Sequence, residues 1–335
     1  DHAVVHKTVS CLLNPRAGHE TKLVLEPPRR IKRVAVVGAG PAGLSAAVTA
    51  ADRGHAVTLF EAGNLIGGQF DLARRIPGKE EFNETIRYYT RMLDKHRVDV
   101  RLNTRAAVDE LSGFDDVVLA TGVTPRMPDI PGIDHPMVLS YAEAILGKPI
   151  GKSVAVVGAG GVGFDVSEFL VTSPAELADG IRSPQHLKEW KAEWGVADPQ
   201  EARGALTTPI PLPPAREVYL LQRTKGPQGR GLGKTSGWVH RASLKAKGVQ
   251  QLSGVNYERI DDAGLHISFG AQRTDARVLD VDNVIICAGQ ESVRDLEEAL
   301  RRNGIEPHVI GGADVAAEVD AKRAIRQGTE LAAKL

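Results

Sequence analysis

The hydrophobic residues of this chain gather into short apolar runs, and two of these runs open onto glycine turns. Val34-Ala35-Val36-Val37 leads into Gly38-Ala39-Gly40-Pro41-Ala42-Gly43, and Val154-Ala155-Val156-Val157 leads into Gly158-Ala159-Gly160-Gly161-Val162-Gly163. Each pattern predicts a buried strand, a tight turn and a helix. The first helix is expected from about Pro41 to Arg53, rich in alanine and stopped by Gly54. A second strand follows over His55–Phe60 and ends at Glu61. A charged helical stretch covers residues 80–96, and Asp116–Leu119 reads as a buried strand running into Ala120-Thr121-Gly122. The pattern restarts at Ser153. Its own second strand is delayed to Glu217–Leu221, so residues 173–215, with Trp190 and Trp194, read as an insertion. A Gly- and Lys-rich loop spans 225–237, hairpin-like strands lie within 251–280, and Val284–Ile286 is another buried strand. The end is a strand, the turn Gly311-Gly312-Ala313-Asp314 and a helix from about Asp320.

This order predicts an α/β protein of two Rossmann-like domains, the second inserted in the first. The boundaries expected are a lead-in over 1–29, a first domain over 30–148 resuming at 289–335, and a second over 149–288.

Composition narrows the partners. With 335 residues the chain is long enough for two domains. Its 42 basic residues balance 42 acidic ones, which argues against a nucleic-acid surface or a polybasic membrane anchor. No apolar run is long enough to span a bilayer, and the start carries no signal-peptide pattern. The chain begins with Asp1, as expected of a processed chain or a piece of a longer one. Its two cysteines, Cys11 and Cys287, make no C-x-x-C pair, so a dithiol redox centre is not expected and a reducing cytosol is the expected setting.

The two turns carry different chemistry. Gly38 permits the tight turn, Gly40 lets backbone N–H groups approach a pyrophosphate, and Gly43 lets helix and strand pack closely. Pro41 and Ala42 open a helix whose N-terminus favours an anion. Glu61 stands where a carboxylate would accept ribose hydroxyls. After the second turn, formed by Gly158, Gly160, Gly161, Val162 and Gly163, the corresponding strand end offers Gln222, Arg223 and Lys225 instead. A carboxylate would repel a 2′-phosphate, whereas Arg223 and Lys225 would attract one, so NADP(H) is expected there. The alternative is that both cations belong to a solvated loop face. Gly68 and Gln69 suit a loop passing close to a ligand. Asp314 is placed either to accept from sugar-chain hydroxyls or to act as a turn or helix cap. Cys287, in an apolar run, reads as core.

With Thr121, Gly122 and Gly312, these motifs resemble the flavoproteins built on two dinucleotide-binding domains. The resemblance implies FAD on the first domain, NAD(P)H on the inserted one, and a ribityl chain near Asp314. It also implies a helix around Arg323 and Ala324 aimed at the flavin pyrimidine edge. A closer resemblance covers nearly the whole chain. It rests on Gly67-Gly68-Gln69-Phe70, Ile76-Pro77-Gly78-Lys79-Glu80-Glu81-Phe82, Gly231-Leu232-Gly233-Lys234-Thr235 with Gly237-Trp238, and Ile286-Cys287-Ala288-Gly289-Gln290-Glu291. These segments are similar to the C-terminal half of bacterial 2,4-dienoyl-CoA reductases, in the trimethylamine dehydrogenase-like family. That resemblance implies an N-terminal FMN barrel as electron acceptor, a [4Fe–4S] cluster, and reduction of 2,4-dienoyl-CoA in unsaturated fatty acid β-oxidation. Ser10-Cys11-Leu12-Leu13-Asn14-Pro15 is similar to the segment bearing the last cluster cysteine, which makes Cys11 a metal-ligand candidate. The chain departs from the family in having no barrel and no trio of cysteines before Cys11. Cys11 is therefore an orphaned ligand or an inert thiol, and the chain alone is not expected to reduce a dienoyl-CoA. Two other readings stay open: a stand-alone NADPH:acceptor reductase serving an iron–sulfur partner, and a non-catalytic nucleotide-binding module.

Overall fold

The computed structural model describes the chain except for residues 1, 3, 5, 174–183 and 318–319, with the side chains of 184–186 also left aside. Part of the expected insertion at 173–215 therefore lies outside the described residues. The chain divides into two compact units. Unit 1 comprises Asp1–Arg74, Glu81–Thr124 and Gln290–Leu335; unit 2 comprises Arg75–Glu80 and Pro125–Gly289.

Unit 1 begins with β1 (Arg33–Val37), α1 (Pro41–Asp52) and β2 (Ala56–Phe60). There follow α2 (Gln69–Ala73), α3 (Phe82–Lys95), β3 (Asp99–Arg101), α4 (Val108–Leu111), β4 (Asp116–Leu119) and β5 (Val123–Pro125). Unit 2 contains β6 (Val138–Ser140), α5 (Tyr141–Ile145), β7 (Ser153–Val157), α6 (Gly161–Val171), α7 (Pro184–Trp194), β8 (Glu217–Gln222), α8 (Gly237–Ala246) and β9 (Gln250–Ser253). It continues with β10 (Val255–Asp261), β11 (Gly264–Phe269), β12 (Asp275–Leu279) and β13 (Asn283–Ile286). The chain then returns to unit 1 through β14 (Gln290–Ser292), α9 (Asp295–Arg302), β15 (His308–Val309) and α10 (Ala321–Ala332).

Each unit is built on a five-stranded parallel sheet, ordered β15-β4-β1-β2-β3 in unit 1 and β6-β13-β7-β8-β9 in unit 2. The apolar runs are explained by burial on both sheet faces. Val34 and Val36 pack against α1, α3 and α10, while Ala35 and Val37 pack on the opposite face with Phe60, Leu111 and Leu300. In unit 2 an antiparallel meander, β10-β11-β12, packs Ile260, Leu265 and Ile267 against Val157, Leu221 and Ile286.

Three expectations are corrected. The first boundary lies at Thr124, not 148, because β6 pairs with β13 and Ile260 N–H donates to Pro131 O, both inside unit 2. The segment expected as hairpin strands over 251–280 begins with β9, which is a parallel strand of the second sheet. The lead-in is not a separate body: Leu13 packs on the core of unit 1, and Arg53 Nε donates to Glu26 O at 2.8 Å.

Candidate functional site

The first glycine turn is a backbone solution to a crowding problem. Gly38 has φ +103°, and a Cβ there would lie 2.4 Å from Ala120 O. A Cβ on Gly43 would lie 1.9 Å from Gly38 O. These two glycines are fixed by packing of the chain on itself. Gly40 differs, because a Cβ there would meet nothing within 4 Å. It is the N-cap of α1, supplies no side-chain cap, and is followed by Pro41, whose missing N–H leaves no orphan donor. The open side of the turn thus faces the free N–H groups and positive dipole end of α1, a ready anion site. Ala42 is buried beside it.

Around this turn the chain brings several predicted residues together. Glu61 Oε2 accepts from Ala39 N–H at 2.8 Å, and Oε1 accepts from Gly63 N–H at 2.7 Å. Gly67 N–H donates to Ala39 O, and a Cβ on Gly68 would lie 3.2 Å from Gly40 Cα. Gln69 opens α2 and donates to Val123 O at 3.3 Å. Thr121 Oγ1 donates to Val293 O at 2.6 Å, and Gly122 O accepts from Val293 N–H at 3.0 Å. A cavity of about 200 Å³ opens beside Gly38, Glu61 and Thr121. Its remaining wall includes Thr104, Arg105, Ala106 and Asp295. Those four carry no strong sequence signal, since they follow short, poorly buried elements.

The Gly311–Asp314 turn meets the same helix end: a Cβ on Gly311 would lie 2.7 Å from Ala42 Cβ, and one on Gly312 would lie 2.7 Å from Val123 Cγ1. Asp314 is half-buried, and its Oδ2 accepts from Gln327 Nε2 at 3.1 Å. Arg294 donates to Ala313 O and Asp314 O at 2.6 Å each. Arg294 and Gln327, which hold this turn, were not singled out from the sequence. Helix α10 starts at Ala321 under the Asp320 N-cap, whose carboxylate accepts Arg323 N–H. The Arg323 guanidinium donates to Val315 O, and Ala324 is buried.

Unit 2 repeats the first turn. A Cβ on Gly158 (φ +114°) would lie 2.4 Å from Cys287 O, and one on Gly163 would lie 1.8 Å from Gly158 O. Gly160 and Gly161 again face open space, beside half-buried Val162. The correspondence extends to the strand ends: Gly38 N–H donates to Phe60 O and Gly158 N–H to Leu221 O, so Glu61 and Gln222 occupy equivalent positions. Gln222 donates to Thr224 O and Gly226 O, which folds the next loop back on the strand. Arg223 and Lys225 are exposed, and no carboxylate pairs with either among the described residues.

Cys11 and Cys287 are both free thiols. Cys287 is buried beneath the second turn, and desolvation holds its thiol protonated well above the usual range. Cys11 is exposed and lines a cavity of about 430 Å³ between the lead-in, α1 and α3. A [4Fe–4S] cluster needs four thiolates, and this chain's own residues do not fit one. Among the described residues no group of three or more His, Cys, Asp or Glu could hold a metal ion. No described helix is long and apolar enough to cross a membrane.

The pyridine nucleotide-disulphide oxidoreductase family model matches residues 32–318. The chain belongs to this family. Its members bind FAD and NAD(P)H, and the twin turns are the parts that fit those cofactors. This pyridine nucleotide-disulphide oxidoreductase is 29% identical over 321 residues to a metal reductase of Desulforamulus reducens, covering 93% of the chain and 46% of that protein. It is 45% identical over 160 residues to an N,N-dimethylglycine/sarcosine dehydrogenase of Chromohalobacter salexigens, covering 44% of the chain and 22% of that protein. Among solved structures, a 2-naphthoyl-CoA reductase in complex with 2-naphthoyl-CoA superposes with a TM-score of 0.80 at 26% identity, over 99% of this chain and 44% of the other. The chain thus spans less than half the length of these relatives.

Proposed function

We propose that this chain is an NADPH-to-FAD electron-transfer module of a flavin-dependent oxidoreductase. The observation that carries the proposal is one turn geometry used twice with different strand-end chemistry: Glu61 at the first, Gln222 with Arg223 and Lys225 at the second. FAD and NADPH, when bound, supply hydride transfer from nicotinamide to flavin.

The protein's part is binding and orientation. Gly38, Gly40 and Gly43 with the N-terminus of α1 hold the FAD pyrophosphate. Two of the acceptor sites on the Glu61 carboxylate are taken by backbone N–H groups, which leaves two for ribose hydroxyls. Gly68, Gln69, Thr121 and Gly122 shape the path of the ligand past the turn. Gly312 and Asp314 receive the ribityl chain. In unit 2, Gly158, Gly160, Gly161 and Gly163 hold the NADPH pyrophosphate, while Arg223 and Lys225 attract the 2′-phosphate. No side chain of the site is assigned a proton-transfer role.

In a full-length protein of the 2,4-dienoyl-CoA reductase kind, used in unsaturated fatty acid β-oxidation, an N-terminal FMN barrel would be the electron acceptor. Cys11 would be the single cluster ligand from this chain. The test is to reconstitute the purified chain with FAD and add NADPH without oxygen. Loss of the visible flavin absorption is expected. Failure to bind FAD, or a bound flavin that NADPH leaves oxidised, would overturn the proposal.

A further inference from the structure

The Gly311–Asp314 turn is gripped from two sides by groups that lie far from it in sequence. On one side, residues 292–294 cap its carbonyls in succession. Ser292 Oγ donates to Gly312 O at 2.7 Å, Arg294 Nε to Ala313 O and Arg294 Nη2 to Asp314 O at 2.6 Å each. On the other side stands α10, seated firmly on α1. A Cβ on Gly328 would lie 2.3 Å from Ala42 O, and Ser45 Oγ donates to Ile325 O at 2.8 Å. Arg323 and Gln327 are four residues apart, hence on one face of α10. Both reach the segment 311–315: Arg323 Nη2 donates to Val315 O at 2.7 Å, and Gln327 touches the turn twice.

Gln327 Oε1 accepts from Gly311 N–H at 2.8 Å, and its Nε2 donates to Asp314 Oδ2 at 3.1 Å. The partners dictate this orientation of the amide, since an N–H must face Oε1 and a carboxylate must face Nε2. An ionised glutamate could not donate to Oδ2, and a lysine could not accept from Gly311. The contacts divide the labour of the Asp314 oxygens. Oδ2 is engaged by the amide. Oδ1 is 3.5 Å from Arg294 Nη2, whose closer contact is to Asp314 O. Oδ1 thus keeps acceptor capacity on a carboxylate held in one orientation. Such a group suits a hydroxyl-bearing ligand, because less freedom is lost on binding.

We propose that Gln327 is a positioning residue for flavin binding: its amide locks the Asp314 carboxylate so that Oδ1 meets the ribityl hydroxyls of FAD. The assignment rests on the FAD role proposed for unit 1. Gln327 acts through Asp314 and is assigned no contact with the flavin.

The experiment is calorimetric titration of the full chain with FAD and with ADP, at mildly acidic and mildly alkaline pH. ADP shares the adenosine diphosphate half of FAD and lacks the ribityl chain. The variants are Gln327→Glu, Gln327→Leu, Asp314→Asn and the double variant Gln327→Glu with Asp314→Asn. Gln327→Glu keeps the shape and sets a carboxylate against Oδ2. Two carboxylates so close do not both ionise freely, so the pair binds a shared proton with a raised pKa. That proton restores the donor to Oδ2 at acidic pH and is lost as pH rises. Arg294 and Arg323 stay charged throughout. Glu297, 3.5 Å from Arg294, and Asp320, which accepts from Arg323 N–H, are present in every variant, so Gln327→Leu is their control.

Gln327→Glu is expected to weaken FAD roughly ten- to a hundredfold at alkaline pH and to regain much of the loss at acidic pH. Gln327→Leu should weaken FAD roughly tenfold at both. ADP should bind every variant like wild type, which also shows that each is folded. If Gln327→Glu does not fold, the contrast between FAD and ADP in Gln327→Leu decides. In the Asp314→Asn background, Gln327→Glu should lose its pH dependence, because the repelling partner is gone. Unchanged FAD binding in the Gln327 variants, equal losses of FAD and ADP, or a pH dependence that survives Asp314→Asn would overturn the role of Gln327 and leave the FAD role of unit 1 standing. A wild-type chain that binds no FAD would overturn that FAD role, and the role of Gln327 with it.

Discussion

At the end of β2 the Glu61 carboxylate accepts two backbone N–H groups, while at the equivalent place on β8 the Gln222 amide donates to two carbonyls. The acidic side chain draws its own turn together and keeps two further acceptor sites. The amide folds its loop and leaves the cations beyond it exposed. Replacing Glu61 with Gln puts N–H against N–H on one side. Since a hydrogen bond to a charged group contributes about 1.5–3 kcal/mol, FAD affinity should fall roughly ten- to a hundredfold. Ultrafiltration with fluorescence of the released FAD measures this, and unaltered retention would remove Glu61 from the site. Arg223→Ala should weaken NADPH by a similar roughly ten- to a hundredfold and leave NADH nearly unchanged, because NADH has no 2′-phosphate. Flavin reduction rate against nucleotide concentration is the readout. Equal losses for the two nucleotides would show that Arg223 supports the fold or the shared pyrophosphate. Glu61 could be placed from the sequence because strand, turn, helix and strand are contiguous. The neighbours that steady Asp314 could not, since Arg294 and Gln327 reach it from 20 and 13 residues away.

Among the elements, strand, turn and helix share a division of labour that substitution can separate. A methyl on Gly43 or Gly163 would sit 1.9 or 1.8 Å from a carbonyl oxygen of its own turn, so the helix must move off the sheet. Overpacking of this kind costs about 1–3 kcal/mol or more. Gly163→Ala should therefore lower the melting temperature. Gly160→Ala has φ −81° and nothing within 4 Å, so it should melt like wild type yet bind NADPH poorly, because the methyl occupies the approach of the pyrophosphate. Loss of stability in Gly160→Ala, or retained binding, would contradict this separation. The long elements were legible because their apolar runs are buried on both faces. The short ones were not: β3, β5, β6, β14 and β15 have two or three residues each, too few to show a period, and pairing alone makes them strands. That is also why the first boundary was misplaced, since β6 joins unit 2 through its register with β13.

For the molecule as a whole, the chain carries one glycine-turn geometry twice and covers less than half of the metal reductase or the 2-naphthoyl-CoA reductase it resembles. Given NADPH and a 2,4-dienoyl-CoA, the isolated, FAD-loaded chain should leave the substrate's conjugation intact, as read by ultraviolet absorption. Sustained turnover would place a substrate site within these residues. Iron analysis of the same preparation should give far less than a cluster's complement, because Cys11 is the only exposed thiol. Unit 1 is also discontinuous: β15, the Gly311–Asp314 turn and α10 come from its last segment, after all of unit 2. On the ribosome this fixes an order of assembly. The strand that pairs with β4, the carboxylate of Asp314 and the helix that packs on α1 are synthesised after all of unit 2. The nascent chain can complete the parallel sheet of unit 2 while the sheet of unit 1 still lacks its edge strand β15, so unit 2 can fold before unit 1 closes.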